Sequence, residues 1–269
     1  MNERFGFIGT GNVGGALARA AVRALGPEQV LLADHNAQLA EALAAELGCE
    51  AVTNSDIVRR CGVIFLGVKP QFLRGMLADL APVLAEKAEP FLLVSMAAGV
   101  SMADVLAMAG GNYPLIRIMP NTPASVGCGM ILYDATEQVT SEALELFRKG
   151  MSRAGVLDPL PEKLIDAGSA VSGCGPAFVD LFLEALADGG VACGLPRDKA
   201  LLYAAQMVMG SAKLALETGK HPGQLKDAVC SPGGSTIAGV RALEQHGFRG
   251  AVMDAVDAAF EKTKALGKQ

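Results

Sequence analysis

Short apolar runs alternate with helical patterns along the first 160 residues of the chain. In the helical segments the apolar residues recur three or four positions apart, as on one face of an amphipathic helix. Most of the short runs are apolar at nearly every position, which is typical of parallel strands covered on both faces. The predicted strands are 5–8, 30–33, 51–52, 63–68, 91–94, 115–119 and 156–157. This alternation predicts an α/β domain with a doubly wound parallel sheet.

The pattern changes after residue 160. Strand signals end at the proline-containing turn 158–161, and only helical patterns follow. Proline suits the first position of a helix, and two of these patterns begin at a proline. The predicted helices start near Pro176, Pro196, Thr236 and Gly250. We therefore predict two domains: a sheet domain over residues 1–160 and an all-helical domain over residues 161–269.

Three glycines after the first strand have the spacing G-x-G-x-x-G, and a helical pattern follows them. Gly9 permits a tight turn, Gly11 lets a pyrophosphate approach bare backbone, and Gly14 lets helix and strand pack closely. The helix directs unpaired N–H groups and the positive end of its dipole toward the phosphates. Asp34 follows the second strand, 20 residues after Gly14, where such units often bind the ribose hydroxyls. The pattern predicts a Rossmann-type dinucleotide site; the alternative is a purely structural glycine turn.

Composition narrows the class of protein. Of 269 residues, 51% are hydrophobic and 19% charged, so the chain is globular. A net charge of −5 argues against nucleic-acid binding. The mean hydropathy of +0.34 is high, yet we find no apolar run of the roughly 18 residues that a membrane helix needs. We expect the excess apolar surface to form a subunit interface.

Cysteine and histidine usage points to a cytoplasmic protein without a metal. Six cysteines are scattered without C-x-x-C pairs, which predicts reduced thiols that serve as small core residues. No signal-peptide pattern precedes the first strand. With only three histidines, a hydrolase built on a histidine base is poorly supported.

The most specific stretch runs from Ser231 to Gly239 and reads Ser-Pro-Gly-Gly-Ser-Thr-Ile-Ala-Gly. It resembles the signature of the pyrroline-5-carboxylate reductase family. Further stretches are similar to motifs of that family and follow in the same order over nearly the whole chain. They are 65–71 (FLGVKPQ), 95–100 (SMAAGV), 117–123 (RIMPNTP), 172–177 (SGCGPA) and 194–197 (GLPR).

The resemblance implies reduction of the C=N bond of 1-pyrroline-5-carboxylate to L-proline, the last step of proline biosynthesis, with hydride from NADPH or NADH. It also implies a helical domain that forms an intertwined homodimer, and some members assemble dimers into a ring. The family's active site lies between the two domains and takes part of its lining from the partner subunit. The expected partners are thus a small-molecule substrate and a second copy of this chain, without nucleic acid or membrane.

The substrate implied by the resemblance is a small cyclic imine with a carboxylate. The loop after residue 230 offers backbone N–H groups at a helix N-terminus, which favours an anion. By the resemblance Thr236 is the catalytic residue: it orients the imine nitrogen and stabilises charge, while the proton comes from an iminium or through water. The implied substrate-binding residues are Val229, Ser231, Gly233, Gly234, Ser235 and Thr236. The alternative is that Ser231 and Thr236 merely cap the helix. Ser169, like Val229, is expected to line the substrate pocket, with ordinary packing as the alternative for both.

The resemblance also assigns residues to the cofactor. They are Ile8, Gly9, Thr10, Gly11, Asn12 and Val13 in the glycine loop, with Asn54, Gly67, Lys69, Met96 and Ala98 at other strand ends. Asp34 joins this set of cofactor residues through its spacing from the glycine loop. Lys69 suits a phosphate or ribose, and its alternative is a solvated surface lysine. Asn121 is expected to fasten the loop after its strand, with a purely structural turn role equally open.

Two positions depart from the family pattern. Members that use NADPH tend to place a small polar residue or arginine after the second strand, where this chain has Asp34-His35-Asn36. A carboxylate there repels a 2′-phosphate and accepts hydrogen bonds from free ribose hydroxyls. We therefore expect NADH to be used at least as well as NADPH. The second departure is Gly219, where some relatives carry a glutamate near the substrate.

Two other functions remain open. A dehydrogenase of the 3-hydroxy-acid or 6-phosphogluconate type shares the glycine loop and helical domain but uses a lysine in the helical part. Lys213 and Lys226 are the candidates here, and both lie in patterns typical of a helix surface. The non-catalytic alternative is a nucleotide-sensing relative that has lost the chemistry.

Overall fold

The computed structural model describes residues 1–266, and eight strands of this range form a single sheet. Their spatial order is β3-β2-β1-β4-β5-β6-β7-β8. The strands are β1 Phe5–Ile8, β2 Val30–Ala33, β3 Glu50–Ala51, β4 Val63–Leu66, β5 Leu92–Ser95, β6 Leu115–Met119, β7 Gly129–Ala135 and β8 Gly155–Pro159. The predicted strands at 5–8, 30–33 and 115–119 have the observed bounds, and the other predicted strands differ by one or two residues at an end.

Helices connect the strands and make up the chain after β8. They are α1 Asn12–Leu25, α2 Ala37–Leu47, α3 Asn54–Arg60, α4 Pro70–Glu86, α5 Met102–Ala109, α6 Ser141–Met151, α7 Glu162–Ser172, α8 Gly175–Ala192, α9 Arg197–Thr218, α10 Pro222–Val229, α11 Ser235–Gln245 and α12 Phe248–Leu266. Short 3-10 turns occupy Pro27–Gln29 and Thr122–Val126. The four long helices predicted after residue 160 are present, and α7 and α10 are additional.

The chain forms two compact units. The first contains Met1–Cys174 together with the chain from Ala258 onward, and the second contains Gly175–Asp257. By this packing criterion, α7 and the end of α12 belong with the sheet. The domain boundary after residue 160 stays a prediction, since packing alone does not show which part folds independently.

The sheet is not entirely parallel, in contrast to the prediction. Strands from β1 to β6 pair in parallel, but β7 pairs antiparallel with β6, with Ile118 opposite Tyr133. β8 is then parallel to β7. The reason is the connection: parallel strands need a crossover of about a dozen residues or more, whereas only the Thr122–Val126 turn and a few residues link β6 to β7.

Two apolar layers cover the two faces of the sheet, as expected for strands buried on both sides. One face carries Phe5 and Phe7, and the ring of Phe7 stacks on Phe65 with centroids 4.4 Å apart. The other face carries Ile8, Ile64 and similar side chains packed against α3, α4 and α5. The spacing of Leu39 and Leu43 places them on one face of α2, yet Leu39, in the first turn of the helix, is 51% exposed, whereas Leu43 is 7% exposed.

The prediction that the cysteines are core residues holds for Cys61 alone. Cys128 and Cys193 are exposed because they lie in turns, and the other three are half-buried. Burial raises the pKa of the Cys61 thiol to about 12 and that of Cys49 to about 11. Both thiols are therefore protonated and unreactive near neutral pH. Within residues 1–266, no group of three or more His, Cys, Asp or Glu side chains could hold a metal ion.

One stretch passes a test of length and apolar composition for crossing a membrane. Glu162–Ala192, which includes α7 and α8, has a mean hydropathy of 1.4 over its most apolar 18 residues. The stretch is not an unbroken apolar run, since charged residues such as Asp166 and Asp180 interrupt it. A single such stretch is weak evidence for a membrane segment, since helices of soluble proteins pass the same test.

A buried arginine fastens α7 to the sheet. Arg117 of β6 is only 3% exposed, and its guanidinium donates to Asp166 at 2.5 Å and to Glu162 at 3.3 Å. The Glu162 carboxylate also accepts from the Met102 N–H at 2.6 Å, and its own N–H donates to Asp134 at 2.6 Å. These bonds tie β6, β7, α5 and α7 together around one buried positive charge.

Replacement of this arginine tests the fastening. Arg117→Met is expected to lower the free energy of unfolding by about 3 kcal/mol, because it leaves two partly buried carboxylates without their cation. Urea unfolding at a fixed protein concentration measures the change. Arg60→Met is the matched control: it breaks an exposed pair with Glu50 and should cost less than about 1 kcal/mol. Equal costs for the two variants would show that the buried network does not stabilise the fold.

Candidate active site

The carboxyl ends of four adjacent parallel strands bring most of the predicted cofactor residues into one row. Beyond the strands, the Gly9 N–H donates to the Ala33 carbonyl at 2.8 Å, and the Gly67 N–H donates to Ile8 at 2.7 Å. These bonds continue the ladder from β2 through β1 to β4. Asp34, the glycine loop, Gly67 and Met96 therefore follow neighbouring strands in spatial order, as a ligand site at this edge requires.

Two of the three glycines are required by contacts within the protein, and the third is not. Gly9 has φ +102°, and a Cβ there would lie 2.6 Å from the Gly67 carbonyl oxygen. A Cβ on Gly14 would lie 2.1 Å from the Gly9 carbonyl oxygen. A Cβ on Gly11 would meet no protein atom within 4 Å. The open space above Gly11 fits the predicted approach of a pyrophosphate to bare backbone.

The first turn of α1 leaves its N–H groups free of side-chain caps. Gly11 is the N-cap, and the first turn contains no acidic residue. By contrast, side chains cap the helices that begin after Asn36, Thr53, Ser101 and Thr140. A groove of about 460 Å³, lined in part by Thr10, Gly11 and Asn12, opens beside this turn. The start of α1 thus combines accessible donors with a positive dipole end.

Asp34 is already engaged by the glycine loop. Its Oδ2 accepts from the Thr10 N–H at 2.7 Å and from the Thr10 hydroxyl at 3.0 Å. Its Oδ1 accepts from the Asn36 N–H at 3.0 Å. We expected the Asp34 carboxylate to face the ribose. Its bonds to Thr10 were not predicted, because Thr10 and Asp34 lie 24 positions apart in the chain.

The other predicted cofactor residues differ in what they can offer. Ile8 is 1% exposed with its side chain in the core, so only its backbone can reach a ligand. Lys69 is exposed, precedes Pro70 at the start of α4 and makes no ion pair within residues 1–266. Asn54, Met96 and Ala98 are half-buried, and Asn12 and Val13 form the first turn of α1. The roles of all these residues stay predictions.

The loop before α11 is exposed and offers several donors. α11 begins at Ser235 after Gly234, with neither a side-chain cap nor an acid in its first turn. The interpretation of Ser231 and Thr236 as mere helix caps is therefore wrong. Within the described part of the chain, the Ser231 and Thr236 hydroxyls make no hydrogen bond, while the Gly234 N–H donates to the Ser231 carbonyl at 3.0 Å. This leaves the N–H groups of Gly233, Ser235 and Thr236 for a ligand.

Asn121 has a fastening role, as expected. Its Nδ2 donates to the Ser172 carbonyl at 3.0 Å, and its Oδ1 accepts from the Met130 N–H at 2.9 Å. It therefore links the end of β6 to β7 and to the last residue of α7. The Arg117 network at the other end of α7 was missed, although a lone arginine inside an apolar strand is a signal that could have revealed it.

Comparisons with known proteins agree on one family. The chain is 43% identical to a pyrroline-5-carboxylate reductase of Glycine max over 97% of this chain and 95% of that protein. It is 38% identical to the enzyme of that name from Escherichia coli over the full length of both. The chain belongs to the pyrroline-5-carboxylate reductase family. A crystal structure of Plasmodium falciparum pyrroline carboxylate reductase with NADP bound is 32% identical, with a TM-score of 0.87 over 98% of both chains.

Two family models match separate parts of this chain. Residues 4–99 match the model described as NADP oxidoreductase coenzyme F420-dependent, and residues 162–266 match pyrroline-5-carboxylate reductase dimerisation. The helices within the second match expose large apolar side chains. They include Leu181, Leu202, Met209, Leu216 and Met253.

The lysines required by the alternative dehydrogenase are poorly suited to catalysis. Lys213 is exposed and lies 3.6 Å from Glu217 on the same helix. Lys226 donates to Asp227 at 2.9 Å, and this hydrogen bond raises the pKa of Lys226. A lysine that acts as a general base needs a lowered pKa, so Lys226 is poorly suited to that role. Lys213 lies on an exposed helix surface beside its ion-pair partner.

The contrast between two glycines tests the loop assignment. Gly11→Val should weaken binding of NADPH or NADH at least about tenfold, about 1.4 kcal/mol, while the fold stays intact because a Cβ at this position meets no protein atom within 4 Å. Gly14→Ala should instead lower the melting temperature, since its Cβ collides with the Gly9 carbonyl. Fluorescence titration and thermal unfolding separate the two effects. Undiminished cofactor binding by Gly11→Val would disprove the loop assignment.

Proposed function

We propose that this protein reduces 1-pyrroline-5-carboxylate to L-proline with NADPH or NADH, the last step of proline biosynthesis. The observation that carries the proposal is the exposed, uncapped start of α11, which presents the Ser231–Thr236 loop in a member of this family. The chain offers an anion-binding helix start and a hydroxyl where the chemistry needs them. The reduction itself requires neither a nucleophile nor a strong base.

The reaction requires a hydride at the imine carbon of the ring and a proton on the nitrogen. When bound, the reduced nicotinamide supplies the hydride. The residues of the chain fix the substrate, hold the imine nitrogen and keep the ring in one orientation. Such positioning lowers the activation barrier because the reacting atoms are already held in the geometry that hydride transfer requires.

The substrate carboxylate binds to the N–H groups of Gly233, Ser235 and Thr236. A helix N-terminus stabilises an anion by about 0.3–1 kcal/mol when exposed and up to about 2 kcal/mol when partly buried. Pro232 has no N–H and restricts the backbone before the loop. The Ser231 hydroxyl is unused within the described residues and adds a further donor, and Val229, 64% exposed at the end of α10, lies next to the loop in sequence.

Thr236 holds the imine nitrogen through its side chain. A hydroxyl can both donate and accept, so it serves the imine before the transfer and the amine after it. The Thr236 hydroxyl is too weakly acidic to protonate the ring nitrogen alone. The proton on the nitrogen therefore comes with a protonated iminium or through water. Thr236 is catalytic because it stabilises the charge that develops at the nitrogen.

Removal of this hydroxyl is the sharpest test of the role. Thr236→Ala should lower kcat by roughly a hundredfold, the cost of removing one positioned donor to a developing charge, and leave the cofactor Kd unchanged. Thr218→Ala is the control: it removes a hydroxyl in the same unit that donates to the Leu214 carbonyl and accepts from the Lys220 N–H. Steady-state rates and cofactor titration provide both values. Wild-type kcat in Thr236→Ala would remove the residue from the mechanism.

The cofactor is NADPH or NADH, and we propose that NADH serves at least as well. Asp34 places a carboxylate at the end of β2, where it opposes a 2′-phosphate and accepts from free ribose hydroxyls. The residues fit a dinucleotide, since Gly11 leaves room over the backbone and α1 offers free N–H groups. Lys69 provides a positive charge along the same edge.

One assay tests the activity and the preference together. Added 1-pyrroline-5-carboxylate should cause oxidation of both cofactors, with kcat/KM for NADH equal to or above that for NADPH. A large preference for NADPH would contradict the role of Asp34 and leave the activity standing. Absence of turnover with either cofactor would favour the nucleotide-sensing alternative.

We further propose a cytoplasmic homodimer formed through the helical unit, with a ring of dimers as the larger assembly. The support is the dimerisation model that matches residues 162–266 and the exposed apolar side chains within it. The partners are thus the imine substrate and a second copy of this chain, without nucleic acid or membrane. Sedimentation velocity distinguishes monomer, dimer and ring.

A further inference from the structure

The carboxylate of Asp34 has most of its acceptor capacity occupied by its own chain. An ionised carboxylate offers about four acceptor sites on two oxygens. The two bonds from Thr10 occupy Oδ2, and the Asn36 N–H occupies one site of Oδ1. About one acceptor site, on Oδ1, remains for a ligand.

These bonds also fix where the remaining site points. Two of the three donors are backbone N–H groups, one from the glycine loop and one from the turn that leads into α2. The three donors together hold the carboxylate in one rotamer, and the Thr10 hydroxyl is the only side-chain donor among them. Charge-assisted bonds of this kind are the stronger class of hydrogen bond.

We infer that Thr10 is a specificity-determining positioning residue: its hydroxyl and N–H lock Asp34 so that the carboxylate discriminates between a ribose hydroxyl and a 2′-phosphate. The inference rests on the proposed function in assuming a nicotinamide dinucleotide at this edge. Thr10 acts on cofactor choice through Asp34, whereas the neighbouring amides of α1 act on the pyrophosphate that both cofactors share.

The distinction between these two actions gives the inference its test. A residue that contacts only the pyrophosphate changes the affinity for NADH and NADPH by the same factor. A residue that positions Asp34 changes the ratio of the two affinities, because only NADPH carries the 2′-phosphate. Without the hydroxyl, the carboxylate can rotate away from an approaching phosphate, so discrimination falls.

The experiment measures the Kd of NADH and of NADPH by fluorescence titration without substrate. Thr10→Val should lower the ratio of Kd for NADPH to Kd for NADH by about tenfold, which corresponds to about 1.4 kcal/mol. Asp34→Asn should lower it at least as far. In the double variant, Thr10→Val should add nothing to Asp34→Asn, and Thr10→Ser, which keeps the hydroxyl, should retain the wild-type ratio.

Thr140→Val is the matched control, because it removes a threonine hydroxyl that caps α6 in the same unit; its ratio should equal that of the wild type. Equal weakening of both cofactors by Thr10→Val, an unchanged ratio, or an effect that persists beside Asp34→Asn would each overturn the inference. Failure of either cofactor to bind the wild type would overturn it as well. Cofactor binding without reduction of 1-pyrroline-5-carboxylate would instead contradict the proposed function alone.

Discussion

The organisation of this protein depends on helix starts whose N–H groups are left without partners from the chain. The first N–H groups of any helix lack an intrahelical acceptor, and most helices of the first unit satisfy one of them with a side chain. Among the described helices whose N-caps are defined, α1, α4 and α11 have neither a side-chain cap nor an acid in the first turn. These three carry the glycine loop, Lys69 and Thr236. We propose that the donors left free at these helix starts bind the anionic groups of the ligands.

Steric constraints keep these helix starts in place. Gly9 and Gly14 pack against neighbouring carbonyls so closely that any side chain would displace the loop, whereas Gly11 faces open space. Asn121 and the Arg117 network fasten the two ends of α7 to the sheet. A buried ion pair is not by itself evidence of high stability. Here it fixes the position of the last helix before the chain leaves the first unit at Cys174.

Much of this fold follows from local sequence. The predicted bounds of β6 equal the observed ones, because prolines flank its five mostly apolar residues. The glycine loop is predicted because its spacing reflects contacts between residues that are close in the chain. The antiparallel β7 was missed, since its direction depends on a short connection whose path is set by tertiary packing. The exposure of Cys128, in the loop before β7, and of Leu39, in the first turn of α2, also depends on tertiary packing. The spacing of apolar residues does not encode it.

The site shows the same division between local and distant determinants. Thr236 and its loop were located from a contiguous motif, and the helix start there is as expected. The occupied Gly234 N–H was not foreseen, because the turn that uses it depends on backbone angles rather than residue type. The Thr10–Asp34 bonds and the Arg117–Asp166 pair join residues 24 and 49 positions apart. A single sequence does not identify the partners of such pairs, although the lone arginine inside the apolar strand β6 marks one member.

A crystal structure of the protein with L-proline bound tests the central claim most directly. The account predicts that the proline carboxylate accepts hydrogen bonds from the N–H groups of Gly233, Ser235 and Thr236, with the ring nitrogen next to the Thr236 hydroxyl. Proline bound elsewhere, with the start of α11 in contact with solvent alone, would contradict it.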